Sequence, residues 1–328
     1  MSHHASMHSY RIQGARGGAT LLLWMVAILC CGIIPGAATE GGLSLEVNNV
    51  EWQGGPRRTY SVFETVSYAQ SATLTVKNNG SPQHFFVTFS SNSGNAPLRK
   101  AASGGDELGY QIYDTAGGLN VLKDLPGATS TEVLQGVFGA GEIRKTLNFV
   151  VSIPAQQAKP PGQYVDKIRV TLYQGTLGSY TEEDSSTISI SARVAELVEV
   201  AVLNQGESFR PEAVTKALDF GILTEGKSLG FDLRVRSNAG YQMTLESEGG
   251  WRLKHSSGTD PSKIPYNLSI NGIVANTSGE SAVVLARKHV ITSAQGDSYP
   301  CVVTIGTVDG ASAGIYRDNI LLTVATHQ

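Results

Sequence analysis

From Leu43 onward, apolar and polar residues alternate in short runs broken by Gly, Asn, Ser and Pro. A period of two turns one set of side chains to a core and the other to water, so the pattern predicts half-buried strands rather than helices. In Ser71–Asn78 the inward set is Ala72, Leu74 and Val76, and Asn78-Asn79-Gly80 ends the run in a turn. Leu108–Asp114 keeps Tyr110 and Ile112 on one face, and Lys145–Ile153 leads through a Pro-rich turn into Pro161–Tyr173. The last run, after a turn at Ser312–Gly314, places Tyr316, Ile320, Leu322 and Val324 on one parity.

Two of these runs are copies of one design. Gly162, Tyr164, Asp166, Ile168, Val170 and Leu172 line up with Gly314, Tyr316, Asp318, Ile320, Leu322 and Val324. The pairing extends upstream: Ser71–Gly80 matches Gly230–Gly240, and Leu108–Asp114 matches Ile264–Ile270. Self-similarity on this scale predicts two domains of equivalent topology. A Tyr just after a Gly turn, at the start of a late strand, suits a tyrosine corner, so Tyr164 and Tyr316 are read as structural.

The copies differ in their continuation. Beyond the first lies an acidic turn at Glu182–Asp184 and then Ile188, Ile190, Ala192 and Val194 on one parity, which predicts one more strand. After Val324 the given sequence offers no such run, so the expectation is a second sandwich lacking its final strand, with a strand supplied from elsewhere. Val198, Val200 and Val202 open the second domain after a short junction.

Composition narrows the class. A chain of 328 residues with 37 glycines and 16% charged residues suits turn-rich all-β domains, and a net charge of -3 gives no basic field for nucleic acid. Arg11 and Arg16 ahead of the apolar stretch from Ala19 to Ile34, then Pro35 and small residues, predict a signal peptide over residues 1–38. The expected domains are therefore 39–194 and 195–328. Removal of the leader leaves Cys301 alone, so packing rather than a disulfide must hold both domains, and its alternating surroundings make it a small buried side chain.

Catalytic and metal patterns are missing from the sequence. His84, His255, His289 and His327 show no ligand spacing, and Gly136–Glu142 lacks the Lys of a phosphate loop. No cofactor and no enzyme activity are expected. Two segments are apolar where loops would be polar: Leu119, Val121, Leu122 and Leu125 in one, Val133, Leu134, Val137 and Phe138 in the other. They read either as ordinary buried strands or as an adhesive contact surface.

The ordered motifs Leu218–Leu223, Leu233–Leu245, Ile264–Ile270 and Ala313–Val324 resemble the spore coat U domain family and the pilins of archaic chaperone-usher pili. The resemblance covers about 130 residues of the second domain and the first more loosely through Leu108–Asp114 and Gly162–Tyr173. It implies Ig-like sandwiches in tandem, export through the periplasm to the cell surface, and a periplasmic chaperone, an usher and the adjacent pilin subunit as partners by β-strand donation. Tyr316, Ile320, Leu322 and Val324 would then line the donor-strand groove. Thr39–Gly42 is too short to donate in turn, which points to a tip adhesin; a spore coat or envelope matrix protein is the alternative.

Overall fold

The computed structural model describes residues 4–7, 42–52, 59–90, 98–115, 120–275 and 282–326. These fall into two compact units, 42–195 and 196–326, with residues 4–7 joined to the latter. The described residues form strands and turns with no helix. The apolar stretch Ala19–Ile34 lies outside them, and of the predicted signal peptide over residues 1–38 they include one short strand, β1 (His4–Met7). Among the described residues no helix is long and apolar enough to cross a membrane.

The first unit contains β2 (Ser44–Val47), β3 (Val50–Glu51), β4 (Tyr68–Lys77), β5 (Gln83–Phe89), β6 (Arg99–Ser103), β7 (Asp106–Tyr113), β8 (Leu134–Phe138), β9 (Arg144–Ile153), β10 (Gly162–Thr176) and β11 (Ser179–Val194). One layer runs β2-β4-β9-β7; the other is built on β10, flanked by β11, β6 and β5, with β3 and β8 outside. Period-two burial explains the sandwich. Leu74 and Val76 from β4, Phe149 and Val151 from β9, and Ile168, Val170 and Leu172 from β10 are all buried between the layers. Phe89 and Phe149 meet there with ring centroids 5.1 Å apart.

Strand β11 is longer than the alternation of Ile188–Val194 predicts. Glu182–Asp184 is not a turn but part of the strand; the reversal falls at Leu177-Gly178, and every residue from Ser179 to Val194 except Glu183 is paired with β10. Glu183 is absorbed where the register slips, between Leu172–Asp184 and Tyr173–Glu182. Glu182 lies on the exposed side of the hairpin, where Arg169 donates to it at 2.5 Å and to Ser185 Oγ at 3.0 Å, while the half-buried Asp184 accepts from Leu45 N at 2.7 Å.

The second unit contains β12 (Val198–Leu203), β13 (Leu218–Ile222), β14 (Ser228–Ser237), β15 (Tyr241–Ser247), β16 (Arg252–His255), β17 (Lys263–Ile270), β18 (Ile273–Val274), β19 (Ala282–Lys288), β20 (Asp297–Ile305), β21 (Ile315–Arg317) and β22 (Ile320–Thr326). One sheet follows β12-β14-β20-β17-β16-β21-β1-β13, and β19-β15-β22 forms another. Their inward residues share one core in which Trp251, Leu253, Tyr266, Cys301, Tyr316 and Leu322 are buried. Cys301 donates to Tyr299 O at 3.3 Å, and burial pushes its thiol up to about 12, so it is packing rather than a reactive nucleophile.

Candidate functional site: the seam of the second unit and the far end of the first

The duplicated Gly-x-Tyr-x-Asp pattern builds the same corner in both units. Tyr164 Oη donates to Pro160 O at 3.0 Å, and Tyr316 Oη donates to Ser312 O at 2.7 Å, each reaching four residues upstream. Both rings are fully buried. The leading glycines make room for a neighbour: a Cβ at Gly162 would meet Ser103 Oγ at 2.7 Å, and one at Gly314 would collide with His255, whose ring stands edge-on to Tyr316 at 5.1 Å.

The aspartates of the pattern are buried acceptors, a role that alternation alone does not reveal. Asp166 accepts from Tyr110 Oη at 2.7 Å, across from β7 to β10. Asp318 accepts from the equivalent Tyr266 Oη at 2.5 Å, and also from Ser247 Oγ and Gly249 N, each at 2.6 Å. Ser247 Oγ in turn accepts from Trp251 N at 2.7 Å, so one carboxylate holds the turn after β15 together. The signal was available in the sequence as a Tyr at a similar distance upstream of each corner Tyr, without the chemistry that joins them.

The two copies part at the strand after the corner. Strand β10 has β11 on one side, paired from Gly162 to Thr176, and β5 and β6 on the other. Strand β22 pairs with β15 from Ile320 to Thr326, and its other edge carries no ladder among the described residues. Ile320, Leu322 and Val324 are buried, as is Tyr316, so these four side chains serve the core rather than line an open channel; what β22 presents outward is backbone.

Two other edges converge on this seam. Among the described residues, strand β12 pairs only with β14 and comes within 8 Å of β22, while Val202 N on its other side donates to Ala213 O at 2.7 Å. Further along, β1 lies between β21 and β13, parallel to the first through His4–Ile315 and Ala5–Tyr316 and antiparallel to the second. A sequence-remote segment of four residues thus occupies one end of the gap between β13 and β21. Insertion beside β22 would require β12 to move aside, because a strand needs about 4.8 Å to each neighbour.

The apolar segments of the first unit take different positions. Leu119 lies outside the described residues. Leu122 is buried, and Val121 and Leu125 are half-buried. Their backbone is tied in: Leu122 N donates to Ile112 O at 2.9 Å, and Phe89 N donates to Lys123 O at 3.1 Å. Arg99, buried and with its pKa lowered by that burial, donates to Phe89 O at 2.8 Å and Leu122 O at 2.7 Å. Glu132, pushed down to about 2 by its bond to Lys123 and then by Thr129 N, closes the following loop. Leu122 is therefore core, and so are Val133, Leu134 and Phe138, while Val137 is 50% exposed.

Val137 sits at the end of the first unit farthest from the junction. Strand β11 rises from the junction over 16 residues, about 50 Å, to its turn at Leu177-Gly178. The loops after β4 and β8 end at the same place, where Gly141 N donates to Gly80 O at 2.9 Å and Gln174 Nε2 to Gln83 Oε1 at 2.6 Å. A shallow cavity of about 230 Å³ opens there between β5, β8 and the end of β10. Among the described residues no group of His, Cys, Asp and Glu could hold a metal ion.

The class that this fold and these corners define is a tandem all-β chain. Residues 46–171, within the first unit, match the family model described as Spore Coat Protein U domain. The match thus falls on the unit in which the sequence motifs were looser, not on the second. No curated protein matches. Among solved structures, the chain is similar to the chaperone–tip adhesion subunit pre-assembly complex of archaic chaperone-usher Csu pili of Acinetobacter baumannii, with 14% identity, 86% of this chain and 99% of that chain covered, and a TM-score of 0.36. A tip adhesin from Pseudomonas aeruginosa gives 11% identity, 88% and 100% coverage, and a TM-score of 0.36. An adhesin of CFA/I from enterotoxigenic E. coli gives 11% identity, 88% and 87% coverage, and a TM-score of 0.27.

Proposed function

We propose that this chain is a structural and adhesive subunit of a secreted surface fibre, at the tip or in a minor position of a chaperone-usher pilus. In this reading its second unit is completed by a strand from a periplasmic chaperone and then from the adjacent subunit. The first unit faces outward and attaches, and the chain binds rather than catalyses. The observation that carries the reading is the contrast at the two corners: the same Gly-Tyr-Asp strand has a full-length partner in the first unit and, among the described residues, an unpaired outer edge in the second.

Physical chemistry says why a partner strand would be held. It would add a backbone ladder to β22 and place alternate apolar side chains against the seam. Four or five such side chains at about 1.5–3 kcal/mol each contribute on the order of 10 kcal/mol. The test is co-expression of the full chain with a periplasmic fimbrial chaperone. A soluble one-to-one complex in which β22 becomes protected from hydrogen exchange is expected. A chain that is monomeric, cooperatively folded and indifferent to the chaperone would defeat the proposal and favour an envelope matrix protein.

A further inference from the structure

The connection between β12 and β13, residues 204–217, is a strap that folds back over the strand bordering the seam. Its first residues cross the outer face of β14. Gly206 N donates to the buried Asp232 at 2.9 Å, and Gln205 lies over Gly230, where a Cβ would collide with it. The Phe209 ring then packs on the Arg236 guanidinium, 4.2 Å from ring centroid to cation. The strap next comes down beside β12, where Ala213 O accepts from Val202 N at 2.7 Å. Its two ends are clasped: Lys216 Nζ donates to Asn204 Oδ1, Asn204 Nδ2 donates to Glu207 at 2.6 Å, and Arg210 donates to Glu207 at 3.1 Å.

These contacts act on the edge that an incoming strand would need. Since Val202 N points away from β14, alternation turns the N–H groups of Val198 and Val200 the same way, and the strap already holds one of the three. Through Asp232 and Arg236 it also fixes the end of β12 to β14, so β12 stays where it stands within 8 Å of β22. The hold is releasable. Most of the strap is exposed, the Glu207–Arg210 pair is solvated, and little apolar surface opposes lifting. On β14, between Asp232 and Arg236, Arg234 Nε is buried without a hydrogen-bond partner, and uncovering this face would return that donor to water.

We infer that the strap is a clip: it keeps the seam of the lone chain closed, and a donated strand has to displace it. The inference rests on the reading of the second unit as a strand acceptor and adds what restrains acceptance.

The test compares the native full chain with Lys216→Ala, Glu207→Ala and the double variant, which open the clasp and leave the core untouched. Two quantities are read: amide exchange at Val202 in the lone chain, and the rate of capture by a periplasmic fimbrial chaperone. In the double variant, Val202 is expected to exchange at least tenfold faster and capture to be at least threefold faster. Lys216→Arg, which keeps the donor, should behave as the native chain. Phe209→Ala frees the strap at its other contact and should act in the same direction, which separates release of the strap from a folding defect peculiar to the clasp. A Val202 amide that stays protected in every variant, or capture that is unchanged or slower once it is deprotected, would overturn the clip and leave the fibre-subunit reading standing. A native chain and variants that the chaperone does not capture at all would bring down both.

Discussion

The two units run the same strand through the same corner and then treat it differently. In the first, β10 is sealed by β11 from the same unit; in the second, β22 is left at the edge of a three-stranded sheet. The inward side chains do not reveal the difference, since Leu172 and Leu322 are both fully buried. What differs is the backbone, one side of which is paired in the first unit and, among the described residues, unpaired in the second. A sandwich can close its apolar core and still leave a polar edge that recruits another chain.

Substitutions at matched positions sharpen this contrast. The largest effect is expected from Leu172→Ala and Leu322→Ala, each costing about 2–5 kcal/mol through a buried cavity. Calorimetry of the full chain should show the second unit losing its cooperative transition while the first, with strands on both sides of β10, keeps one. Equal loss in both units would remove the contrast. Next, Asp318→Ala leaves three donors without their acceptor and should cost about 2–4 kcal/mol, against about 1–3 for Asp166→Ala, which strands one. Denaturant midpoints of the two transitions measure both; a larger loss for Asp166→Ala would contradict the assignment of Asp318 as the hub.

The corners themselves should respond alike. Tyr164→Phe and Tyr316→Phe each remove one hydroxyl donated to a carbonyl four residues upstream, at about 0.5–1.5 kcal/mol. A clear difference between them would mean that the repeat is not physically equivalent.

The smallest effect at neutral pH lies with ionisation. Burial first, with Asp106 adding to it, holds the Tyr164 phenol up at about 12, and burial holds the Cys301 thiol at about 12. Both groups ionise more readily when unfolded, at about 10 and about 8.5, so their contribution is full below those values and is lost as pH rises to about 12. Thermal melts between pH 8 and 12 should show a loss in the second unit that Cys301→Ala reduces but does not abolish, because burial also holds the Tyr241 and Tyr299 phenols up there, and a loss in the first unit that it leaves in place.

Much of this architecture was legible in the sequence, for a definable reason. Period-two alternation reports which face of a strand is dry, so Leu74 and Val76, Ile168 to Leu172, and Ile320 to Val324 could be placed on inward faces from residue order alone. The Gly-x-Tyr-x-Asp spacing survived because each position is constrained, by a close neighbour, a carbonyl upstream and a buried hydroxyl. Alternation is silent about what crosses between strands. It could not show that Asp318 gathers Tyr266, Ser247 and Gly249, that Glu182–Asp184 continues β11, or that Gly175 lets the Ser179 backbone approach closely at the hairpin end. Apolar content likewise cannot separate Leu122, pinned by Arg99 through its carbonyl, from Val137, which stands in solvent.

The decisive measurement is residue-resolved hydrogen exchange across β10 and β22 in the full chain, alone and bound to a periplasmic fimbrial chaperone. The account predicts slow exchange throughout β10 in both states, and fast exchange at the outward amides of β22 that becomes slow in the complex. Outward amides of β22 as protected in the lone chain as those of β10, and unchanged by the chaperone, would contradict it.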